Sequence, residues 1–234
     1  MKRDLFAVGI ALGVTCVVSP ASADNDSGLA LGLRVGYGIP MGETGSVTGK
    51  ASTPVDVHDV VSGMVPLSFD VGYRFTPALY AGAFFQYGFA FVNDQLDAAC
   101  NQGVSCSAHD IAFGADLRYH AQPQGIFDPW LGAGFGYEVL TVNESGTDTS
   151  FGRSLPVERS WQAKGFQFLI LEAGADFKAT PDLAVGPFVN FALGQYSRWS
   201  NQQTIAGTSD DQSGDLNGAA HEWLTLGLRG QYNL

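Results

Sequence analysis

Apolar residues occupy every second position in eight stretches of the chain, and small or charged residues fill the positions between. The first stretch shows the pattern: Leu29, Leu31, Leu33, Val35, Tyr37 and Ile39 alternate with Ala30, Gly32, Arg34, Gly36 and Gly38. A period of two is that of a β-strand, whose successive side chains point to opposite faces. The pattern predicts strands over residues 28–40, 63–76, 79–91, 109–120, 130–142, 165–178, 183–195 and 221–234. Their connections alternate in length. Residues 76–78, 121–129 and 179–182 make the shorter turns. Residues 41–62, 92–108, 143–164 and 196–220 make longer loops rich in Ser, Thr, Gly, Asn and Asp. Short turns at one end and long loops at the other predict an all-β fold, an eight-stranded antiparallel up-and-down transmembrane β-barrel.

The residue types on the two faces say which one looks outward. One face is apolar throughout: the second stretch contributes Val65, Leu67, Phe69, Val71, Tyr73 and Phe75, and the last Leu224, Leu226, Leu228, Gly230, Tyr232 and Leu234. The other carries Arg34, Asp70, Arg74, Asp116, Arg118, Glu138, Glu172, Asp176, Lys178 and Arg229, set among glycines such as Gly32, Gly72, Gly114, Gly132 and Gly174. A water-facing surface would carry long solvated side chains rather than glycine. Small residues are wanted where room is short, inside a narrow barrel. The apolar face therefore meets lipid, and a closed barrel is the form in which strands cross a bilayer, because every backbone amide then finds a partner. Each stretch is long enough for a crossing, which takes about 9–11 tilted residues. Tyr37, Tyr73, Phe75, Tyr119, Phe177 and Tyr232 fall near strand ends, where interfacial aromatic girdles sit.

Composition agrees with one membrane-embedded domain: only 15% of the 234 residues are charged, against about 25% in a typical soluble domain. At the N-terminus, Lys2 and Arg3 precede an apolar run over residues 5–18, and Pro20-Ala21-Ser22-Ala23 follows it. That is the anatomy of a secretory signal peptide, residues 1–23, leaving a barrel over residues 24–234. Its removal makes the protein one unit more negative than the formal charge of −11, which argues against nucleic acid as a partner. Cys16 leaves with the leader. Cys100 and Cys106 remain, with Gly103 between them, and an oxidising compartment makes a local disulfide the expected state. The alternative, a metal site, lacks a histidine at ligand spacing within the loop.

The leader, the eight alternating stretches and the last strand, Trp223-Leu-Thr-Leu-Gly-Leu-Arg-Gly-Gln-Tyr-Asn-Leu234, together resemble the small outer-membrane β-barrel family of Gram-negative bacteria, the OmpA/OmpX type. The resemblance covers essentially the whole mature chain. It implies a location in the outer membrane, insertion by the barrel-assembly machinery, and surroundings of outer-membrane lipid and lipopolysaccharide. A monomer without cofactors is expected, with no peptidoglycan-binding domain. In that family the last strand commonly ends in Phe; here it ends in Leu234.

Charges inside a narrow barrel are costly unless paired. Arg34 and Asp70 lie near mid-height on neighbouring strands and form an expected pair. Glu138 and Glu172, also on neighbours, are expected to take Arg34 or Arg229 across the lumen. Phe84, Phe168, Phe188, Trp130 and Trp223 count as inward-facing and fill more of the space. The expected role is structural or surface-exposed, with a plugged lumen. The alternatives are a narrow passive pore or small-ligand carrier and, third, a lipid-modifying enzyme. An enzyme of that kind needs a Ser-His-acid set, yet alternation places Ser107 and His109 on one side and Asp110 on the other. His120 and His221 are expected at the rim. Asp210, Asp211, Asp215 and Asn217 lack EF-hand spacing and read as a solvated acidic loop. Arg153, Arg159, Lys164 and Arg198 lie near the outer rim, where they are placed to meet lipid phosphates. No catalytic, cofactor or metal residue is assigned.

Overall fold

A computed structural model describes residues 27–48, 54–93, 104–148 and 155–234. The expected leader, Cys100 of the expected disulfide and Arg153 lie outside the described residues. The elements are β1 (Gly28–Gly42), β2 (Ser46–Val47), α1 (Val57–Val60), β3 (Val61–Thr76), β4 (Leu79–Val92), β5 (Val104–His120), β6 (Phe127–Asp148), β7 (Leu155–Lys178), β8 (Leu183–Ile205), β9 (Thr208–Asn217) and β10 (Ala220–Asn233). Eight of the strands form a ring in the order β1-β3-β4-β5-β6-β7-β8-β10, each antiparallel to its neighbours. The ring closes where β1 meets β10, from Ala30 opposite Asn233 to Gly42 opposite His221. Closure leaves no strand edge in the membrane, as a bilayer requires.

Alternation sorts the side chains as the sequence predicts. Leu33 is 55% exposed while Arg34, the next residue, is 4% exposed. Phe69, Phe89, Leu117, Phe135 and Leu228 stand outward in the same way around the ring. Tyr73, Phe75, Tyr119, Phe177 and Tyr232 are exposed close to the end that carries the short turns. In the outer-membrane barrels that the sequence resembles this is the periplasmic end, since they keep their longer connections outside the cell.

The outer end departs from the expected irregular loops. β6 and β7 continue as a ladder through Asn143 opposite Ser160 to Asp148 opposite Leu155. β8 runs on to Ile205, turns at Ala206 and Gly207, and returns as β9. Both turn residues have positive φ, 49° and 82°, the requirement of a two-residue type I′ hairpin whose twist matches its strands. β2 adds to the far edge of β9 through Ser46 opposite Asn217 and Val47 opposite Leu216. The first connection carries α1, whose Val57 and Val60 pack with Val61, Met64, Leu140, Val142, Ala163, Tyr196 and Trp223 at the top of the lumen.

Strand β7 breaks the alternation within the apolar band. Across β7, Gly134 faces Ile170 and Gly136 faces Gln167, while Gln167 faces Gly194 and Leu169 faces Leu193. β7 therefore has one residue more than either neighbour, a β-bulge at Phe168–Leu169. Two consecutive side chains, Phe168 and Leu169, point outward. This corrects the expectation that Phe168 faces inward: a bulge shifts the side-chain parity by one.

Candidate functional site in the barrel lumen

The centre of the lumen is an ionic layer built from five strands. Arg34 of β1 pairs with Asp70 of β3 at 2.7 Å and with Glu172 of β7. Arg118 of β5 reaches the same two carboxylates, at 2.8 Å and 3.0 Å, and also pairs with Asp116. Asn190 of β8 gives Glu172 a further hydrogen bond of 3.1 Å. Arg229 of β10 stands opposite Arg34 in register and lies 3.6 Å from Asp176. Aromatic rings fill the spaces between charges. Arg118 sits over Tyr80 and Trp130, Arg229 over Trp130, and Arg34 over Phe84 and Phe188, with centroid distances of 4.3 to 5.8 Å. Trp130 also donates to Asp176 at 3.1 Å.

Glycines make this density possible. Gly132 stands in register between Arg118 and Glu172, and the two side chains meet across it. A Cβ at Gly132 would lie 3.1 Å from Arg118 Cγ and 3.3 Å from Glu172 Oε2. Gly72 and Gly82 form a register pair beneath the Tyr80 phenol, and a Cβ on either would fall within 2.5 Å of its oxygen. Gly174 makes the same room for Trp130.

A second buried centre lies nearer the outer end, around Glu138. Its carboxylate accepts from the Tyr196 hydroxyl, the Trp223 indole at 2.9 Å and the Gln167 amide, and contacts His221 Nε2 at 3.1 Å. The His221 ring stacks on Tyr196 with centroids 3.8 Å apart. Asp110 lies in the lumen as well, with Gln86 at 3.4 Å. Glu138 therefore does not take Arg34 or Arg229 as expected. Glu138 faces Gly165 while Glu172 faces Gly132, so six residues of β6, roughly 20 Å of strand, separate the two levels. Only Glu172 reaches an arginine. His221 and His120, expected at the rim, are buried. His120 Nδ1 contacts Asp128 at 2.7 Å.

Of the charged residues expected inside, Arg34, Asp70, Arg74, Asp116, Arg118, Glu138, Glu172, Asp176 and Arg229 are buried. Lys178 is only half-buried. With Arg74, Asp128, Asp176 and Leu234 it lines a polar vestibule of about 440 Å³ at the periplasmic end, and Arg74 donates to the Pro77 carbonyl at 2.8 Å. Between the two centres lie two small voids, of about 20 and 10 Å³, and Arg34, Gln86, Asn190 and Thr225 line both.

This architecture meets an independent comparison. The family model for the outer membrane protein β-barrel domain matches residues 8–186. The chain belongs to that family. A major outer membrane protein from Thermus thermophilus is similar in structure, with 11% identity and a TM-score of 0.56, over 89% of this chain and 99% of that one. OprG from Pseudomonas aeruginosa shows 12% identity and a TM-score of 0.48, over 89% and 98% of the two chains. The outer membrane protease OmpT from Escherichia coli shows 8% identity and a TM-score of 0.37, over 92% and 99%. At such identities a likeness concerns the fold alone. No curated protein matches the sequence.

As an outer-membrane barrel, the chain turns its remaining candidates toward lipid or the cell exterior. Ser107 and His109 lie on the outer face of β5, where His109 stacks on Tyr87 at 5.6 Å, while Asp110 is buried in the lumen. The three do not converge. Asp210, Asp211 and Asp215 are exposed along β9, hydrogen-bonded into a hairpin rather than looped around an ion. Among the described residues no group of three or more His, Cys, Asp or Glu is arranged to hold a metal. Arg159 pairs with Glu144 at 3.4 Å, and Lys164 stands opposite Arg198 across β7 and β8.

The sequence reading missed Tyr80, Tyr196, Gln167, Asn190 and Asp128 as parts of the interior. Their signal was present in Tyr80 and Asn190, which occupy inward positions of the period-two pattern.

Proposed function

We propose that this protein is a non-conducting outer-membrane barrel with a structural or surface-exposed role and no enzymatic activity. It carries the β6–β7 and β8–β9 extensions beyond the membrane. The central ionic layer carries this reading. Arg34 and Arg118 are tied to Asp70, Asp116 and Glu172 from walls on all sides, and Arg229 to Asp176. A void of about 20 Å³ holds a single water at most, since one water needs roughly 10–15 Å³. An ion would have to displace buried, mutually paired charges to pass. Toward the outer end, Val57 and Val60 of α1 join the buried apolar cluster that holds Tyr196 and Trp223.

Planar-bilayer recording of the folded protein tests the proposal. No steady current above the bare bilayer is expected, and a stable conductance would overturn it. Incubation with labelled lipid A tests the non-enzymatic part; release or transfer of an acyl chain would overturn that.

A further inference from the structure

Eight lysine and arginine side chains fall within the described residues. Arg34, Arg74, Arg118 and Arg229 are buried in the lumen, Lys178 lines the periplasmic vestibule, and Arg159 is paired with Glu144. The other two, Lys164 and Arg198, stand directly opposite one another. Both point outward. Lys164 follows the inward-facing Ala163 and precedes the buried Gly165. On β8 the register slips between these two rows: Gly165 faces Tyr196 and Lys164 faces Arg198. Ser197 is the extra residue, and Ser197 and Arg198 are both exposed. Neither cation has an ion pair among the described residues. Val139 flanks Lys164 on β6, and Asp215 flanks Arg198 on β9. Like charges opposite each other on one face of a sheet are destabilising unless an anion joins them, and Asp215 leaves the group net positive.

The height of the pair names the anion. Below Lys164 the outward residues of β7 run apolar from Phe166 down to Phe177. Eleven residues at about 3.3 Å each, tilted by about 40°, rise roughly 28 Å, close to the apolar band of about 25 Å on such barrels. The cations therefore stand at the outer headgroup level. Immediately beneath them the β7 bulge turns Phe168 and Leu169 outward together, beside Phe166. Two bulges on one strand pair thus set surplus apolar surface under two cations, and bulges are a recurrent means of re-aiming side chains.

We infer that the Lys164–Arg198 pair, with the Phe166–Phe168–Leu169 surface below it, binds a phosphate of a lipid A-type glycolipid in the outer leaflet, acyl chains on the apolar surface and phosphate between the cations. The arginine supplies a planar fork and the lysine a point charge, both suited to phosphate oxygens.

Native mass spectrometry of the full protein, exchanged from detergent into defined lipid, tests this. Bisphosphorylated lipid A is expected to be retained about tenfold more strongly than fully dephosphorylated lipid A or phosphatidylglycerol, the factor that about 1.4 kcal/mol represents. K164Q/R198Q is expected to lose that preference, and K164R/R198K to keep it. Heat-modifiable gel migration of each variant establishes that it is folded. Equal retention of the phosphorylated and dephosphorylated lipids, retention of phosphatidylglycerol equal to lipid A, or an unchanged preference in folded K164Q/R198Q would each overturn the inference. None of these readouts depends on whether the lumen conducts.

Discussion

Glu172→Gln tests the energetic logic of the lumen. Glu172 is buried and accepts from Arg34, from Arg118 Nε at 3.0 Å and from Asn190 at 3.1 Å. Glutamine keeps the volume but removes the charge, and it turns an amide N–H₂ toward a guanidinium. A hydrogen bond to a charged group is worth about 1.5–3 kcal/mol, and two are weakened here. Removing one partner of a buried ion pair costs about 3–5 kcal/mol when the other charge is left without compensation; here Asp70 still pairs both arginines, which makes that figure a ceiling. The expected loss in folding free energy is therefore about 3 kcal/mol, the low end of both figures. Urea titration of the barrel in lipid vesicles, followed by heat-modifiable migration and tryptophan fluorescence, would measure it. The exposed Glu144–Arg159 pair supplies the control: at 3.4 Å, with both side chains more than a third exposed, Glu144→Gln should cost less than about 1 kcal/mol. Arg34→Met combined with Glu172→Gln should cost at least about 1 kcal/mol less than the two singles together, since both single changes remove the same direct Arg34–Glu172 ion pair. A Glu172→Gln loss under about 1 kcal/mol, or strict additivity with Arg34→Met, would refute the claim that the layer is a coupled ionic network.

Three further outcomes follow from the same geometry. Glu138→Leu leaves the donors of Tyr196, Trp223 and Gln167 unsatisfied, and each orphan costs about 1–3 kcal/mol; a loss of more than about 3 kcal/mol is expected in the same urea assay. Gly114→Ala puts a Cβ 2.1 Å from the Phe135 carbonyl oxygen and 2.8 Å from Phe84, an overpacking cost of about 1–3 kcal/mol, whereas Gly230→Ala meets only Val185 at 3.8 Å and should stay within about 0.5 kcal/mol. A nitroxide at Phe168→Cys should be relaxed by oxygen dissolved in lipid rather than by a water-soluble nickel chelate; the opposite pattern would place Phe168 in the lumen.

The sequence made the membrane-embedded part legible because lipid imposes a one-sided requirement. An outward position such as Leu33 or Phe69 has to be apolar, so the period of two survives through each crossing. The interior was legible only in outline. Alternation marked Arg34 and Asp70 as neighbours with inward side chains, and they meet. It carried no information on distance across the lumen, so the partners of Glu138, which come from β7, β8 and β10, were invisible. Phe168 failed for a different reason. A single inserted residue reverses parity, and nothing in Gln167-Phe168-Leu169-Ile170 marks which residue is the insertion. Gly132 and Gly174 were readable as small, while the side chains that lie over them, Arg118 and Trp130, could be assigned only from the register.

The outer extensions failed as strands because neither of their faces meets lipid. β9 reads Thr-Ser-Asp-Asp-Gln-Ser-Gly-Asp-Leu-Asn, a composition with turn chemistry and no alternation. Its order comes from continuing the ladder of β8, from Arg198 opposite Asp215 to Ile205 opposite Thr208, while only two residues of β2 pair with its other edge. It buries little apolar surface, and opening free energy follows buried contact and ladder completeness. β10, paired along its length by both β1 and β8, sits at the opposite extreme. Amide hydrogen exchange of the barrel in lipid should therefore find the β9 amides exchanging at least about a hundredfold faster than those of β10. Equal protection of the two strands would mean that the extension is held by something other than its ladder, and that the membrane crossing and the outer sheet open as one unit.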